Sequence, residues 1–149
     1  MKEPASQQGR RTRGHRTVPH TADLRIEAWA PTREDCIAEA VRGLVESFAD
    51  VRASGHQRAG EHHLVSDSDA DLVAAAIDEV IYCLDAHGEI PAAVEVSRAR
   101  DGGIDLKLLT VQANAAQIIG AVPKAASMSG LTCAADPAGQ WSCAVTVDV

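Results

Sequence analysis

Residues 20–48 read HTADLRIEAWAPTREDCIAEAVRGLVESF, and the hydrophobic period changes once within them. Leu24, Ile26 and Ala28 alternate with Arg25, Glu27 and Trp29, the period of two that marks a half-buried strand. Pro31-Thr32 ends that run. Thr32, with Asp35 three residues on, resembles a capping box in which Asp replaces the usual Glu. Cys36, Ile37, Ala40, Val41, Leu44, Val45 and Phe48 then recur at helical spacing, which predicts an amphipathic helix over residues 33–49. A strand feeding directly into a helix is the unit from which the rest is read.

Upstream, ordered chain is expected from Arg16. Residues 1–16 hold Lys2, Arg10, Arg11, Arg13 and Arg16 against Glu3, a net +4, while the remainder sets nine basic against twenty acidic side chains, a net -11. Residues 1–15 therefore read as a disordered basic tail, or as an arm for RNA phosphate or an acidic partner, ahead of one acidic domain over residues 16–149. Downstream, residues 50–60 are polar and read as a loop, and residues 61–66 as a short strand around Leu64 and Val65. Asp69 is taken as the N-cap of a second helix carrying Leu72, Val73, Ala76, Ile77, Val80, Ile81 and Leu84, stopped by His87-Gly88. Val94 and Val96, then Ile104, Leu106 and Leu108, form a hairpin across Asp101-Gly102-Gly103. Residues 114–124 read as a short helical turn ended by Pro123. Met128–Ala135 and Trp141–Val147 make a last hairpin over Asp136-Pro137-Ala138-Gly139. The expected fold class is α+β, with two amphipathic helices packed on a mostly antiparallel β-sheet in one domain.

Composition narrows function. The chain has 149 residues, 46% hydrophobic, with 14 Lys+Arg against 21 Asp+Glu and only 3% aromatic. That balance disfavours duplex binding by the acidic body, and few aromatics leave few platforms for stacking single-stranded bases. No run approaches the roughly 20 apolar residues of a membrane helix, and the polar, basic start does not read as a secretory signal, so none is expected. Cytoplasm is the expected location. Cys36, Cys83, Cys133 and Cys143 lack CxxC spacing, so reduced thiols on helix faces and in the last two strands are expected, although a Cys133–Cys143 bridge is conceivable. No phosphate-cradling GxxxxGK[ST], no GxGxxG and no GxSxG elbow occurs. The histidines read as surface groups: His62 and His63 are adjacent and face opposite sides of a strand, His56 lies in a polar loop, His87 ends a helix, and His15 lies in the tail.

Asp23 and Asp148 form the more informative pair. Asp23 precedes a strand and Asp148 ends the last one. If those strands are neighbours, both carboxylates meet at one sheet edge beside the carbonyl or terminal carboxylate of Val149. Two close carboxylates repel unless a cation neutralises them. An all-oxygen set suits a hard ion such as Ca²⁺, Mg²⁺ or Mn²⁺. On spacing alone the plainer roles stand first, Asp23 as a turn or cap residue and Asp148 as a solvated acid.

The run His20-Thr21-Ala22-Asp23, the alternating strand, the Thr-started helix ending Leu44-Val45-Glu46-Ser47-Phe48-Ala49-Asp50, the entry Val122-Pro123-Lys124-Ala125 and the ending Trp141–Val149 together resemble the archease family over residues 16–149. The resemblance implies a non-enzymatic accessory protein of the RtcB-type RNA-splicing ligase, which joins 3′-phosphate or 2′,3′-cyclic phosphate and 5′-hydroxyl RNA ends using GTP and a divalent metal. It implies promotion of ligase guanylylation and turnover, with Asp23, Asp148 and the Val149 carbonyl as metal ligands. RNA contact would be indirect, or through the tail. One departure is plain: where archeases continue with a Thr-Tyr-His-like triplet, this chain has Ser127-Met128-Ser129. An alternative reading keeps the fold as a chaperone-like or protein-interaction module without ligase activation. A small metal-dependent hydrolase is disfavoured, because no base or nucleophile stands beside the two aspartates in sequence.

Overall fold

The Thr32 hydroxyl accepts a hydrogen bond from the Asp35 N–H at 3.1 Å, so the first helix starts where the capping signal places it. The computed structural model describes residues 12–19, 23–51 and 56–149. Residues 1–11 of the expected tail, and His20-Thr21-Ala22, lie outside the described residues. Within the described residues the order is β1 (Gly14–Pro19), β2 (Asp23–Ala30), α1 (Arg33–Phe48), β3 (Ala49–Asp50), β4 (Arg58–Leu64), α2 (Asp69–His87), β5 (Glu89–Arg98) and β6 (Ile104–Gln112). A single 3-10 turn at Ala113–Ala115, then β7 (Gln117–Ile118), β8 (Ala125–Ala135) and β9 (Trp141–Asp148), complete it. This is the expected α+β fold in one domain.

All strand pairs are antiparallel. The larger sheet has the order β1-β2-β9-β8, a three-stranded sheet runs β4-β6-β5, and β3 pairs with β7. Helix α1 packs on β1, β2 and β9 and on β5, while α2 packs on β8 and β9 and on β4 and β5, so one helical layer serves both sheets. The core between them holds Ile26, Ile37, Leu44, Phe48, Leu72, Ile77, Leu106 and Val145, all almost wholly removed from water. Each such side chain contributes roughly 1.5–3 kcal/mol.

Several boundaries differ from the sequence reading. The second helix is capped by Ser68, whose hydroxyl accepts from the Asp71 N–H at 3.1 Å. Asp69 is the first helical residue, where its charge complements the helix dipole. Strand β4 spans Arg58–Leu64, because pairing from Arg58↔Thr110 to Leu64↔Ile104 sets its length, and Val65 is 59% exposed beyond it. The expected short helical turn is a single 3-10 turn at Ala113–Ala115, and it is followed by the two-residue strand Gln117–Ile118, not by more helix up to Pro123. Strand β8 begins three residues before Met128. Gly88 adopts φ 63° and closes α2, as its position after His87 predicted.

A buried cation ties these parts together. Arg33, 7% exposed, reaches Asp69 Oδ1 at 2.9 Å and Glu34 Oε2 at 2.8 Å, and donates to the carbonyls of Gly102 and Gly103 at 3.0 and 3.1 Å. It thereby clasps the start of α1, the start of α2 and the β5–β6 turn.

Candidate functional site

Alternation along β2 and β9 decides what the sheet presents on each side. Ile26 and Ala28 of β2 stand opposite Val145 and Cys143 of β9 and are buried beneath the helices. The intervening residues Asp23, Arg25, Glu27, Thr146 and Asp148 therefore project from the opposite face. Asp23 and Asp148 are direct register partners. Directly opposed residues carry their Cβ atoms about 4.5–5.5 Å apart on one face, so two carboxylates share one small volume. The two strands are central in the sheet. The meeting point is thus the end of the middle strands, not a lateral edge. Asp148 is exposed, Val149 beyond it is half-buried, and the Asp23 Oδ1 atom is shut off from solvent.

The neighbouring strand completes this corner. Ala125 pairs with Asp148, and the Lys124 N–H donates to the Asp148 carbonyl at 2.8 Å. The Ala126 N–H donates to Asp78 Oδ1 at 3.0 Å, so α2 covers the free edge of β8 at the same end of the sheet. Sequence reasoning missed Asp78, because nothing in a helical carboxylate's spacing shows which strand it will meet. Ser127-Met128-Ser129 follows directly. Met128 is 63% exposed, and the β8–β9 register shifts between Ser127 and Thr132. Within this irregular stretch Gly130 takes φ 70°, and a Cβ there would stand 3.3 Å from an Arg25 guanidinium nitrogen.

The donors suit a hard cation: two carboxylates on one face with a carbonyl-bearing residue next in chain. Two arginines on β1 and β2 are engaged by one carboxylate. Arg16 bonds Glu27 at 2.6 Å and Arg25 lies 3.4 Å from the same carboxylate. The Arg16 hydrogen bond is the chief cause that holds the Glu27 carboxyl below its usual range.

The histidines divide. His63 lies 2.8 Å from Asp105 with one ring nitrogen and 2.8 Å from Asp101 with the other, and His62 turns to the opposite side of β4, as adjacency required. His15 is no tail residue in the structure. It sits on β1 under α1, 2.8 Å from Glu39 and 2.6 Å from Glu46. Burial disfavours its charged form, but the hydrogen bonds to Glu46 and Glu39 outweigh that and raise its pKa. The four cysteines are free; Cys133 and Cys143 stand opposite one another in β8 and β9, while the Cys143 thiol lies 3.5 Å from that of Cys36.

No helix among the described residues is long and apolar enough to cross a membrane. The model of the Archease protein family matches residues 15–149. Two proteins of Mycobacterium tuberculosis strains, each described as a probable protein archease, are 49% identical to the chain over 136 residues, covering 91% of it and 75% of their own length. The solution structure of protein 1598 of Methanobacterium thermoautotrophicum superimposes with a TM-score of 0.59 at 17% identity, over 91% of this chain and 99% of that one. At that identity the likeness speaks for the fold.

Proposed function

Since the chain belongs to the archease family, we propose that it is a metal-binding accessory protein that activates an RtcB-type RNA-splicing ligase, without catalysing covalent chemistry itself. The observation that carries this reading is the register pairing of Asp23 with Asp148. Their carboxylates would hold a Ca²⁺, Mg²⁺ or Mn²⁺ ion, with the Val149 carbonyl as a further oxygen donor and water filling the shell. Such an ion would neutralise the paired charges and would supply Lewis-acid chemistry toward phosphate oxygens. The protein's own part is to present that corner to a basic ligase surface, for which the net -11 of residues 17–149 provides electrostatic attraction. Cytoplasmic location and indirect contact with RNA belong to the same proposal.

The test is single-turnover guanylylation of the cognate ligase with GTP and Mn²⁺, with this protein, without it, or with the Asp23→Asn/Asp148→Asn double variant. Acceleration by the wild type alone is expected. Equal acceleration by the double variant refutes the assignment of the site. No acceleration of a ligase shown to be active favours the second reading, an interaction module that keeps the fold. The exposed Met128 within Ser127-Met128-Ser129, beside the aspartate corner, is the observation in its favour.

A further inference from the structure

A second constellation lies on β4 and α2, and the function proposed above makes no use of it. His62 is the register partner of Leu106, a wholly buried residue, so its ring points to the helical layer. Glu79 and Cys83 are four residues apart on α2 and therefore share the helix face that meets it. His62 Nδ1 lies 3.2 Å from Glu79 Oε2, and one donor atom from each of His62, Glu79 and Cys83 lies within 4.8 Å of both others. The thiol is innermost, with Cys83 4% exposed, while the His62 and Glu79 side chains are 30% and 23% exposed. The group thus has a buried floor and a solvent-facing mouth.

We propose that His62, Glu79 and Cys83 form a binding site for a borderline-soft divalent ion, Zn²⁺ by preference, with the fourth position taken by water. The donor chemistry selects the ion. Thiolate and imidazole favour Zn²⁺ over Ca²⁺ or Mg²⁺, the opposite of an all-oxygen corner. Charge closes as well: a thiolate, a carboxylate and a neutral imidazole around a divalent cation sum to zero, which suits a half-buried place. Geometry agrees, since bonds of about 2.0–2.2 Å to nitrogen and oxygen in a tetrahedron put those two atoms about 3.3–3.5 Å apart, close to the 3.2 Å between His62 and Glu79. Side-chain rotation of Cys83 would bring its sulfur to the third vertex.

The surroundings are compatible with this. Glu89, buried and close enough for its charge to act on Cys83, pairs with Arg58 at 3.0 Å. Burial, then the charges of Glu79 and Glu89, push the Cys83 thiol up, so binding at neutral pH would release its proton. His63 offers no such site: its two ring nitrogens face different carboxylates and cannot bind one ion together. The ion would tie β4, an outer strand of its sheet, to α2.

The experiment uses the full chain without an affinity tag, stripped with a chelator and titrated with Co²⁺, then with Zn²⁺ in competition. One ion per chain is expected, with the visible bands of tetrahedral Co²⁺ and a thiolate-to-cobalt charge-transfer band in the near ultraviolet. Cys83→Ser should abolish the charge-transfer band. His62→Ala and Glu79→Gln should weaken Zn²⁺ binding by more than the roughly 10–100-fold that loss of an outer-shell partner costs. The Asp23→Asn/Asp148→Asn variant should bind Zn²⁺ as the wild type does. If Cys83→Ser fails to fold by circular dichroism, the partly exposed His62→Ala decides. Absence of the charge-transfer band in the wild type overturns the proposal, as does Zn²⁺ affinity unchanged in His62→Ala and Glu79→Gln. Loss of Zn²⁺ binding in the double aspartate variant alone would assign the ion to the β2–β9 corner instead.

Discussion

Two residues opposite one another in a sheet repel when both carry negative charge, and Asp23 and Asp148 are such a pair. Replacing either by Asn removes the repulsion and the proposed ligand together. Asp23→Asn and Asp148→Asn are therefore expected to abolish Ca²⁺ or Mn²⁺ binding in calorimetry while changing the unfolding free energy by no more than about 1 kcal/mol. Unchanged binding heats in both variants would refute the ligand assignment. His15 carries a pH dependence of known sign. Its folded-state pKa is raised by Glu46 and Glu39, which outweigh burial, so the stabilisation is complete below its ordinary value of 6.5 and is lost as pH rises through the folded value. Urea unfolding across that window should show stability declining with pH, and His15→Ala should flatten the decline. His63 is raised too, chiefly by hydrogen bonds to Asp105 and Asp101. His63→Ala is therefore the control that apportions the two.

At the scale of elements, caps and clasps matter more than propensity. The Thr32 and Ser68 hydroxyls each satisfy an otherwise unpaired N–H at a helix start, so Thr32→Ala and Ser68→Ala should each cost about 1 kcal/mol in chemical denaturation. Arg33 joins three elements, and its loss would leave Asp69 without its cation, Glu34 with only Arg98 at 3.8 Å, and two carbonyls without their donor. Arg33→Met is expected to cost about 3 kcal/mol, the low end for breaking a buried pair because Asp69 is partly exposed. A change below about 1 kcal/mol would mean that water replaces the guanidinium readily. The displaced N-cap is instructive in the same way. Ser68 and Asp69 are both good cap residues in sequence, and the choice fell to Ser68 because Asp69 is drawn to Arg33, which lies 36 positions away.

For the molecule as a whole, Leu44 and Ile77 sit where the helical layer meets the sheets, both without exposed surface. Leu44→Ala and Ile77→Ala should each destabilise by about 2–5 kcal/mol, and a near-zero shift of the denaturation midpoint would contradict the packing described. The helices, the hairpins and the α+β class were legible because periods of 3.6 and 2 report which side chains leave water, a local property of the chain. Strand ends at β4 and β8, and the short strand β7 after the 3-10 turn, were not legible, because pairing with a distant strand sets them. The same division runs through the candidate sites. Asp23 and Asp148 could be singled out in sequence as two strand-end carboxylates, for which spacing alone favoured plainer roles, and the fold made them register partners across 125 positions. His62, Glu79 and Cys83 carried no spacing signal, since two are neighbours on a helix face and the third arrives from a strand. What the sequence determined alone was which surfaces must be buried. Which polar groups then meet was decided only when the strands chose their partners, because register, not composition, sets the distances between them.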